Sequence, residues 1–501
     1  LFDMFFQGLS MAATPSVLSF MIIGTLVGVV VGFIPGLGGT FAISILLPMT
    51  FGMEPLAAIA LLIGAHGIVN TGGAISSILF NTPGAPGDAA TVLDGYPMAQ
   101  QGQAGRALGA ALTASAFGGI IGAIALAVFI PIIKPIVLSF GAPEFFILAL
   151  WGVSLVVSVS SQNIIKGLIV GGVGILISTI GLDPSTGIVR FGFGQLYLWS
   201  GIALVPVVLG LFAVAEMIDL AISRGKIAKE GYVVKGGVLE GIKDAFRYWF
   251  LMIRCSVLGV LVGFIPGLGG EVSCWMAYGH AAQTSKEREK FGKGAVEGVI
   301  APSCAAVSKE GGALLPTLSF VVPGSAGMAI LLGAFMIYGF SPGPEMLKTS
   351  VNVIFMMAWI MVFSNLAGTG ITLVFANQIA KLTKLKGSYL VPIIIILCSM
   401  GAFTIHNTLG DLVVMLVFGV VGYLMKVLDY PRAVLLLGFV LGHIVENNLN
   451  LSLRLYGIDF LMRPVTLTVL ILIIITLLLP VLLKLRAVNR QTPYPPDGKG
   501  V

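Results

Sequence analysis

The chain has 501 residues, of which 57% are hydrophobic and only 10% charged, and a formal net charge of +6. Soluble domains carry about 25% charged residues, so this composition excludes an ordinary water-soluble surface. The positive balance marks no nucleic-acid patch, because Lys and Arg fall in short clusters between long apolar runs, where they read as cytoplasmic loop anchors. The four cysteines, Cys255, Cys274, Cys304 and Cys398, lack CxxC spacing and lie in or beside apolar stretches. They read as small buried hydrophobes, with no disulfide and no metal.

The opening LFDMFFQGLSMAATP has neither the basic start nor the small-residue cleavage site of a secretory signal, so no cleaved targeting peptide is expected. Runs long enough to cross a bilayer, at about 20 residues each, fall near 16–34, 109–133, 143–161, 164–181, 196–219, 249–265, 351–376, 389–404, 411–428, 431–447 and 464–485. An all-α polytopic membrane protein of about ten or more spans follows. Shorter apolar pieces near 40–50, 71–82, 271–282, 313–322 and 328–340 stand beside Pro-Gly turns. Their length suits half-helices or re-entrant hairpins.

GFIPGLGG occurs at Gly32–Gly39 and again at Gly263–Gly270, each time closing an apolar helix. The flanking LVGVVVGFIPGLGG matches LGVLVGFIPGLGG, and ILFNTPGAPG around Pro83 has a counterpart in LSFVVPGSAG around Pro323. The chain therefore reads as two homologous halves: 1–220, with hairpins at 32–40 and 80–88, and 249–485, with hairpins at 263–271 and 320–327. A charged cytoplasmic linker, 221–248, joins them, and 486–501 is a polar C-terminal tail. Lys and Arg in the linker, at 381–386, at Lys426 and Arg432, at 484–490 and at 286–293 all mark the cytoplasmic side, whereas the stretch around Glu54 has no basic residue. The asymmetry predicts inverted repeats, a recurring plan of secondary transporters.

PGLGG within an apolar segment breaks the helix, since proline lacks the N–H and glycine admits conformations closed to other residues. Polar backbone exposed at membrane depth survives only when buried in protein or lining a cavity. There, helix N-termini bind anions and free carbonyls coordinate Na⁺. Pro35, Gly36, Gly38, Gly39 and Thr40, with Pro266, Gly267, Gly269, Gly270 and Glu271, are the leading substrate-binding elements, and Na⁺ is expected at carbonyls near Gly36 and Gly267. The alternative use of these glycines is close helix packing; two copies at matching positions favour a site. The second breaks add Asn81, Thr82, Pro83 and Gly84 in one half and Pro323, Gly324 and Ser325 in the other. Their polar side chains either hold a ligand or cap the following helices.

Ionisable residues in apolar surroundings face cavities or partners. The candidates are His66, Glu216, Asp219, Glu271, Glu297, Lys309, Glu310, His406, Asp411 and Glu446. Glu216 and Asp219 read as interfacial, Lys309 as an anion attractor or a local partner of Glu310, and His66 as a hydrogen-bonded core residue or a proton-sensitive group. No HExxH, CxxC, GxSxG or Walker sequence is present, which leaves neither an enzyme nor an ATP-driven pump with support. A gated channel is the rival reading, but no filter-like sequence supports it.

LDGYPMAQQGQAGRALG at Leu93–Gly109, EKFGKGAVEGVIAP at Glu289–Pro302, GGALLPTLSFVVPGSAG at Gly311–Gly327, YPRAVLLLGFVLGHIVENNLNLSL at Tyr430–Leu453 and the two GFIPGLGG copies together resemble the large membrane subunit (TctA type) of tripartite tricarboxylate transporters. The resemblance covers nearly the whole chain. It implies a multi-pass protein of the bacterial inner membrane that works with a small transmembrane subunit and a periplasmic solute-binding protein. The expected cargo is a carboxylate, a tricarboxylate such as citrate or a dicarboxylate, imported on an ion gradient with Na⁺ or H⁺ as coupling cation and no other cofactor. A homo-oligomeric complex is compatible with this reading. The chain departs from the family pattern at Ser303–Glu310, where an asparagine-rich stretch is expected, and at Asn450-Leu451, where an arginine pair is common. Alternating access, with the two hairpin pairs enclosing the carboxylate, is the expected mechanism; an elevator movement is compatible with it.

Overall fold

The computed structural model describes residues 2–160, 164–183, 186–223, 236–266, 269–382 and 387–490. Among the described residues, seven helices are long and apolar enough to cross a membrane, and a pair bent by 76° makes an eighth if counted as one span.

The first part of the chain forms α1 (Phe2–Ala12), α2 (Pro15–Phe33), α3 (Gly39–Leu46), α4 (Pro55–Phe80), α5 (Val92–Gln100) and α6 (Ala104–Leu138). Then come α7 (Ala142–Ser160), α8 (Ile164–Ser178), and α9 (Leu204–Val208) running through a π turn into α10 (Ala215–Ser223). The order resumes with α11 (Val238–Arg247), α12 (Trp249–Phe264), α13 (Gly269–Thr284), α14 (Glu297–Ser319), α15 (Ala326–Ile337), α16 (Pro344–Thr349) and α17 (Val351–Leu382). The last helices are α18 (Gly387–Phe403), α19 (Leu409–Val427), α20 (Arg432–Tyr456) and α21 (Pro464–Arg490). A two-residue antiparallel ribbon, Gly181–Leu182 with Val189–Arg190, follows α8.

Local chemistry fixes the breaks. A residue before proline is driven out of the helical region, and both Ile34 and Ile265 leave the helix in extended conformation, with ψ 114° and 113°. Gly36 then turns the chain at φ +85°, a conformation that glycine adopts without strain.

The register of α2 on α4 follows from their glycines. A Cβ at Gly24, Gly28 or Gly32 would collide with the carbonyls of Leu61, Ala65 and Val69. Both series climb by four residues, so the helices run parallel, and the chain must double back through α3 between them. On the other side, Gly259 and Gly263 meet the carbonyls of Ala305 and Lys309 in the same sense. Hence α12 and α14 are also parallel, with α13 as the return. The match extends to reciprocal contacts, Gly72 on Val29 and Gly312 on Val260. Without a hydrophobic drive between helices in lipid, such close backbone approach is what dispersion packing needs.

Two crossings join these pairs. Where α4 meets α14, His66 lies by Glu310 and Asn70 by Ala306; one number rises as the other falls, so the helices run in opposite directions. Where α6 meets α17, Gly119 abuts Asn365 and Thr369 donates its hydroxyl to the Leu112 carbonyl at 3.3 Å. Among α7–α10, α18–α21 and the segments that join them, Lys426 pairs with Glu216 and Asp219 at 2.6 and 2.9 Å, Arg432 with Glu216, Arg190 with Glu446 and Arg463 with Glu144.

Several elements differ from the sequence expectation. The stretches 71–82 and 313–322, expected as half-helices, are the ends of α4 and α14, helices of 26 and 23 residues. Both are buried along almost their whole length. A helix surrounded by protein accommodates polar residues such as Asn70, Thr71 and Lys309 that make it read as interrupted. The span expected at 196–219 starts with a 3₁₀ turn, and its helix begins only at Leu204. Part of the expected linker, Val238–Arg247, is a helix lying against α6, tied by Arg106 to Asp244 at 2.6 Å. Arg224, Lys226, Lys229 and Lys235 of that linker, and the tail from 491, lie outside the described residues.

Candidate functional site

The α4–α14 crossing brings three ionisable groups of the interior together. Glu310 accepts from Lys309 Nζ at 2.7 Å and stands 3.2 Å from His66 Nε2. His66, Lys309 and Glu310 are 7%, 6% and 3% exposed, so none can rely on water. A buried carboxylate without a counter-charge is costly; Lys309 supplies it, and with a neutral imidazole the trio carries no net charge.

Two helix starts hold the His66 ring between them. A Cβ at Gly39, in the first turn of α3, would come within 2.6 Å of Nδ1, and one at Gly327, in the first turn of α15, would collide with the ring at Cε1. Only glycine at both places leaves room for imidazole. The first turns of α3 and α15 thus converge on one point, bringing helix ends of positive character to the neighbourhood of the Lys309 ammonium. The α15 start is capped by Ser325, whose Oγ accepts from Met328 N–H at 3.3 Å.

The other side of the crossing has different chemistry. Asn70 Nδ2 donates to the Ala306 carbonyl at 2.9 Å, and Gly87 packs against both Asn70 and Ala306. Buried Asp88 accepts the Ala85 N–H at 3.2 Å, while the Ser77 hydroxyl donates to the Asp88 carbonyl. Asp94, fully buried, ties α5 to the second part of the chain by accepting from Tyr278 Oη at 2.9 Å and from the Gly294 and Ala295 N–H groups, each at 2.8 Å.

The sequence-predicted residues separate into groups. The two breaks of the first part meet: Gly36 N–H donates to the Gly84 carbonyl at 3.2 Å, and Gly84 packs on Gly32. Gly38 caps α3 and Gly39 and Thr40 open it. Pro35 and Pro83 sit in the turns between. Asn81 ends α4 in the left-handed conformation and is exposed, while Thr82 donates back to the Phe80 carbonyl; neither reaches the His66 cluster through these bonds. In the second part Val321 takes the left-handed place of Asn81, Pro323 is buried, and Gly324 approaches the Gly263 carbonyl. Pro266 is buried and Gly269 and Gly270 open α13; Gly267 lies outside the described residues, and so does the Glu271 side chain.

Other ionisable candidates stand apart from the crossing. Asp411 takes hydrogen bonds from Tyr197 and Thr408 and lies 3.2 Å from His406 Nδ1. Glu216, Asp219 and Glu446 belong to the peripheral pairs. Glu297 accepts the Ser285 hydroxyl. In the polar loop before α14, Glu287 holds the Lys290 ammonium above its ordinary pKa by a direct hydrogen bond. Among the described residues no three His, Cys, Asp or Glu gather in a metal-holding group. Sequence reasoning missed Asn70, Asp88, Asp94 and Asn365; a polar residue isolated in an apolar run is the signal that marks Asn365.

Comparison with known proteins identifies the family. The family described as "Tripartite tricarboxylate transporter TctA family" matches residues 18–437. An uncharacterized 52.8 kDa protein of Agrobacterium vitis, from the TAR-I ttuC' 3' region, is 33% identical over 444 residues, 88% of either chain. A second uncharacterized A. vitis protein, from the TAR-II ttuC' 3' region, is 29% identical over 236 residues, 46% of this chain and 98% of the relative. No solved structure matches. With a family match across most of its length and several spanning helices, the chain belongs to the TctA family and is the multi-pass membrane component of a tripartite tricarboxylate transporter.

Proposed function

We propose that the chain is a binding-protein-dependent secondary transporter subunit of a bacterial inner membrane that imports a carboxylate by alternating access, driven by Na⁺ or H⁺. The convergence of the α3 and α15 starts on the His66–Glu310–Lys309 cluster carries this reading. A carboxylate entering there meets free helix N–H groups and an ammonium whose present partner, Glu310, is a carboxylate of the same kind. A substrate carboxylate entering there shares the Lys309 ammonium with Glu310, and the two helix starts supply the remaining partial positive charge, so the anion is held by a site that can also release it.

Two further observations support the architecture proposed here, an inverted repeat of 1–220 and 249–485. The pairs α2/α4 and α12/α14 pack in the same register, and α4 crosses α14 in the opposite direction. On this reading the hairpin through α3 enters from the side opposite to the hairpin through α13. A small transmembrane subunit and a periplasmic binding protein complete the transporter, as the tripartite family name suggests.

The experiment is reconstitution in liposomes with both partners, following labelled citrate and dicarboxylate uptake with and without an inward Na⁺ gradient or a pH gradient. Saturable uptake that needs the binding protein and a gradient is expected, with loss in Lys309→Met. Ohmic flux independent of the binding protein would instead establish a channel.

A further inference from the structure

The short helix α11 lies at an elbow with α12, and its place follows from the parallel helices around it. Gly118 of α6 packs on the Cys304 carbonyl and Gly122 on that of Ser308, so α6 runs parallel to α14, as α12 does. All three start at one end of the molecule. The polar loop 285–293 lies at that end, just before α14, and its Lys286, Arg288, Lys290 and Lys293 mark it as cytoplasmic. Arg254, in the second turn of α12, stands 3.5 Å from the Thr284 hydroxyl, where that loop begins. The first turns of α6 receive α11: a Cβ at Gly241 would collide with the Arg106 carbonyl, and one at Gly109 with the Val238 carbonyl. The 76° bend into α12 then lays α11 across the starts of these helices, at the level where the chain leaves the membrane.

At 3.6 residues per turn, the sides of α11 meet different surroundings. Gly241 and Ala245 are buried against protein, and Asp244 is held by Arg106 at 2.6 Å. Leu239 and Phe246, seven residues apart and so on one line of the helix, are 73% and 61% exposed. Lys243 and Arg247, one turn apart, form the adjoining exposed line, and among the described residues neither has an acidic partner. Glu240 stands on the same outer side and pairs with neither, which leaves that side net positive. Past the elbow Trp249 and Phe250 are more than half exposed, and Arg254 stacks over the Phe250 ring at 5.0 Å. With Glu240, Lys243, Asp244 and Arg247 in ten residues, α11 does not enter hydrocarbon, while its exposed leucine and phenylalanine are unfavourable in water. A bilayer surface suits both lines: acyl chains cover the apolar one and headgroups meet the basic one. Unpaired Lys and Arg favour anionic headgroups over zwitterionic ones.

We propose that the outer side of α11 is a docking site for anionic phospholipid of the cytoplasmic leaflet, with Lys243 and Arg247 on the headgroup phosphate and Leu239 and Phe246 against the acyl chains. The site rests on the multi-pass fold and not on the carboxylate reading. Occupancy stabilises the native chain as any ligand of the folded state does.

The test is the midpoint of thermal unfolding of the full chain in mild detergent, with phosphatidylglycerol, phosphatidylcholine or inorganic phosphate added at equal concentration. Phosphatidylglycerol is expected to raise the midpoint by about 2 °C or more over phosphatidylcholine. That difference should largely disappear in Lys243→Gln/Arg247→Gln. Lys348→Gln should keep it, because this exposed lysine belongs to α16, which the Gly343 N–H ties to the Leu318 carbonyl at the opposite end of α14. Equal midpoints with the two lipids overturn the proposal and leave the face to a protein partner. A rise of the same size with inorganic phosphate overturns it in favour of a free-anion site. A preference that survives the double substitution, or that Lys348→Gln also removes, overturns it too. If the double variant does not fold, native mass spectrometry of Arg247→Gln against the unaltered chain decides: fewer retained phosphatidylglycerol molecules per chain support the site, and equal numbers overturn it.

Discussion

The two copies of the PGLGG region share their packing but not their chemistry. Gly28 on Ala65 and Gly32 on Val69 in the first are matched by Gly259 on Ala305 and Gly263 on Lys309 in the second. At the crossing, however, His66 corresponds to Ala306, and Asn70 to Glu310. The contact between the copies is made twice, once as His66 with Glu310 and once as Asn70 with the Ala306 carbonyl. Backbone packing tolerates no change at the glycines, whereas each facing pair had only to remain satisfied, so the ionised groups could collect on one side. A site built this way is asymmetric inside a repeated frame, and the charged side is the place to look for an anion.

The largest expected effect tests the charged side. Lys309→Met leaves Glu310 buried without its ammonium and should cost about 3–5 kcal/mol, most of it recovered in Lys309→Met/Glu310→Gln. Thermal or denaturant unfolding of the single and double variants measures this, and a double variant no better than the single would show that the pair is not the stabilising unit. The shared frame comes next: Gly32→Leu and Gly263→Leu each overpack a helix seam and should cost about 3 kcal/mol. Unequal losses would separate the two registers. On the neutral side of the crossing, Asn70→Leu frees the Ala306 carbonyl in the interior and should cost about 1–3 kcal/mol, with uptake reduced less than by Lys309→Met. The smallest change concerns the capped break: Ser325→Ala removes the bond to Met328 N–H and should cost about 1 kcal/mol, whereas Thr82→Ala, at a residue bonded only to its own turn, should change stability by less than about 0.5 kcal/mol.

Much of this was legible in the chain. Ile-Pro-Gly fixes the helix ends at Phe33 and Phe264 by local sterics, and the duplicated motif announces two similar seams. The candidate residues of the first breaks do meet, Gly36 with Gly84. The continuity of α4 through Asn70, Thr71, Gly72 and Gly73 was not legible, because those residues weaken an exposed helix and are harmless in one enclosed by α2, α6, α14 and α17. Nor was the pairing of His66 with Glu310 legible, since the two lie on separate helices far apart in the chain.

The sequence by itself determined that this is a multi-pass helical membrane protein with two PGLGG breaks and the marks of its family, because apolar run length, proline and glycine act locally and leave the same trace in any surroundings. Tertiary structure was needed to set α4 and α14 crossing in opposite directions and to bring His66 to Glu310 and Asn70 to the Ala306 carbonyl. Those facts depend on which helix covers which, and burial by a distant segment sets the cost of every polar group in the interior.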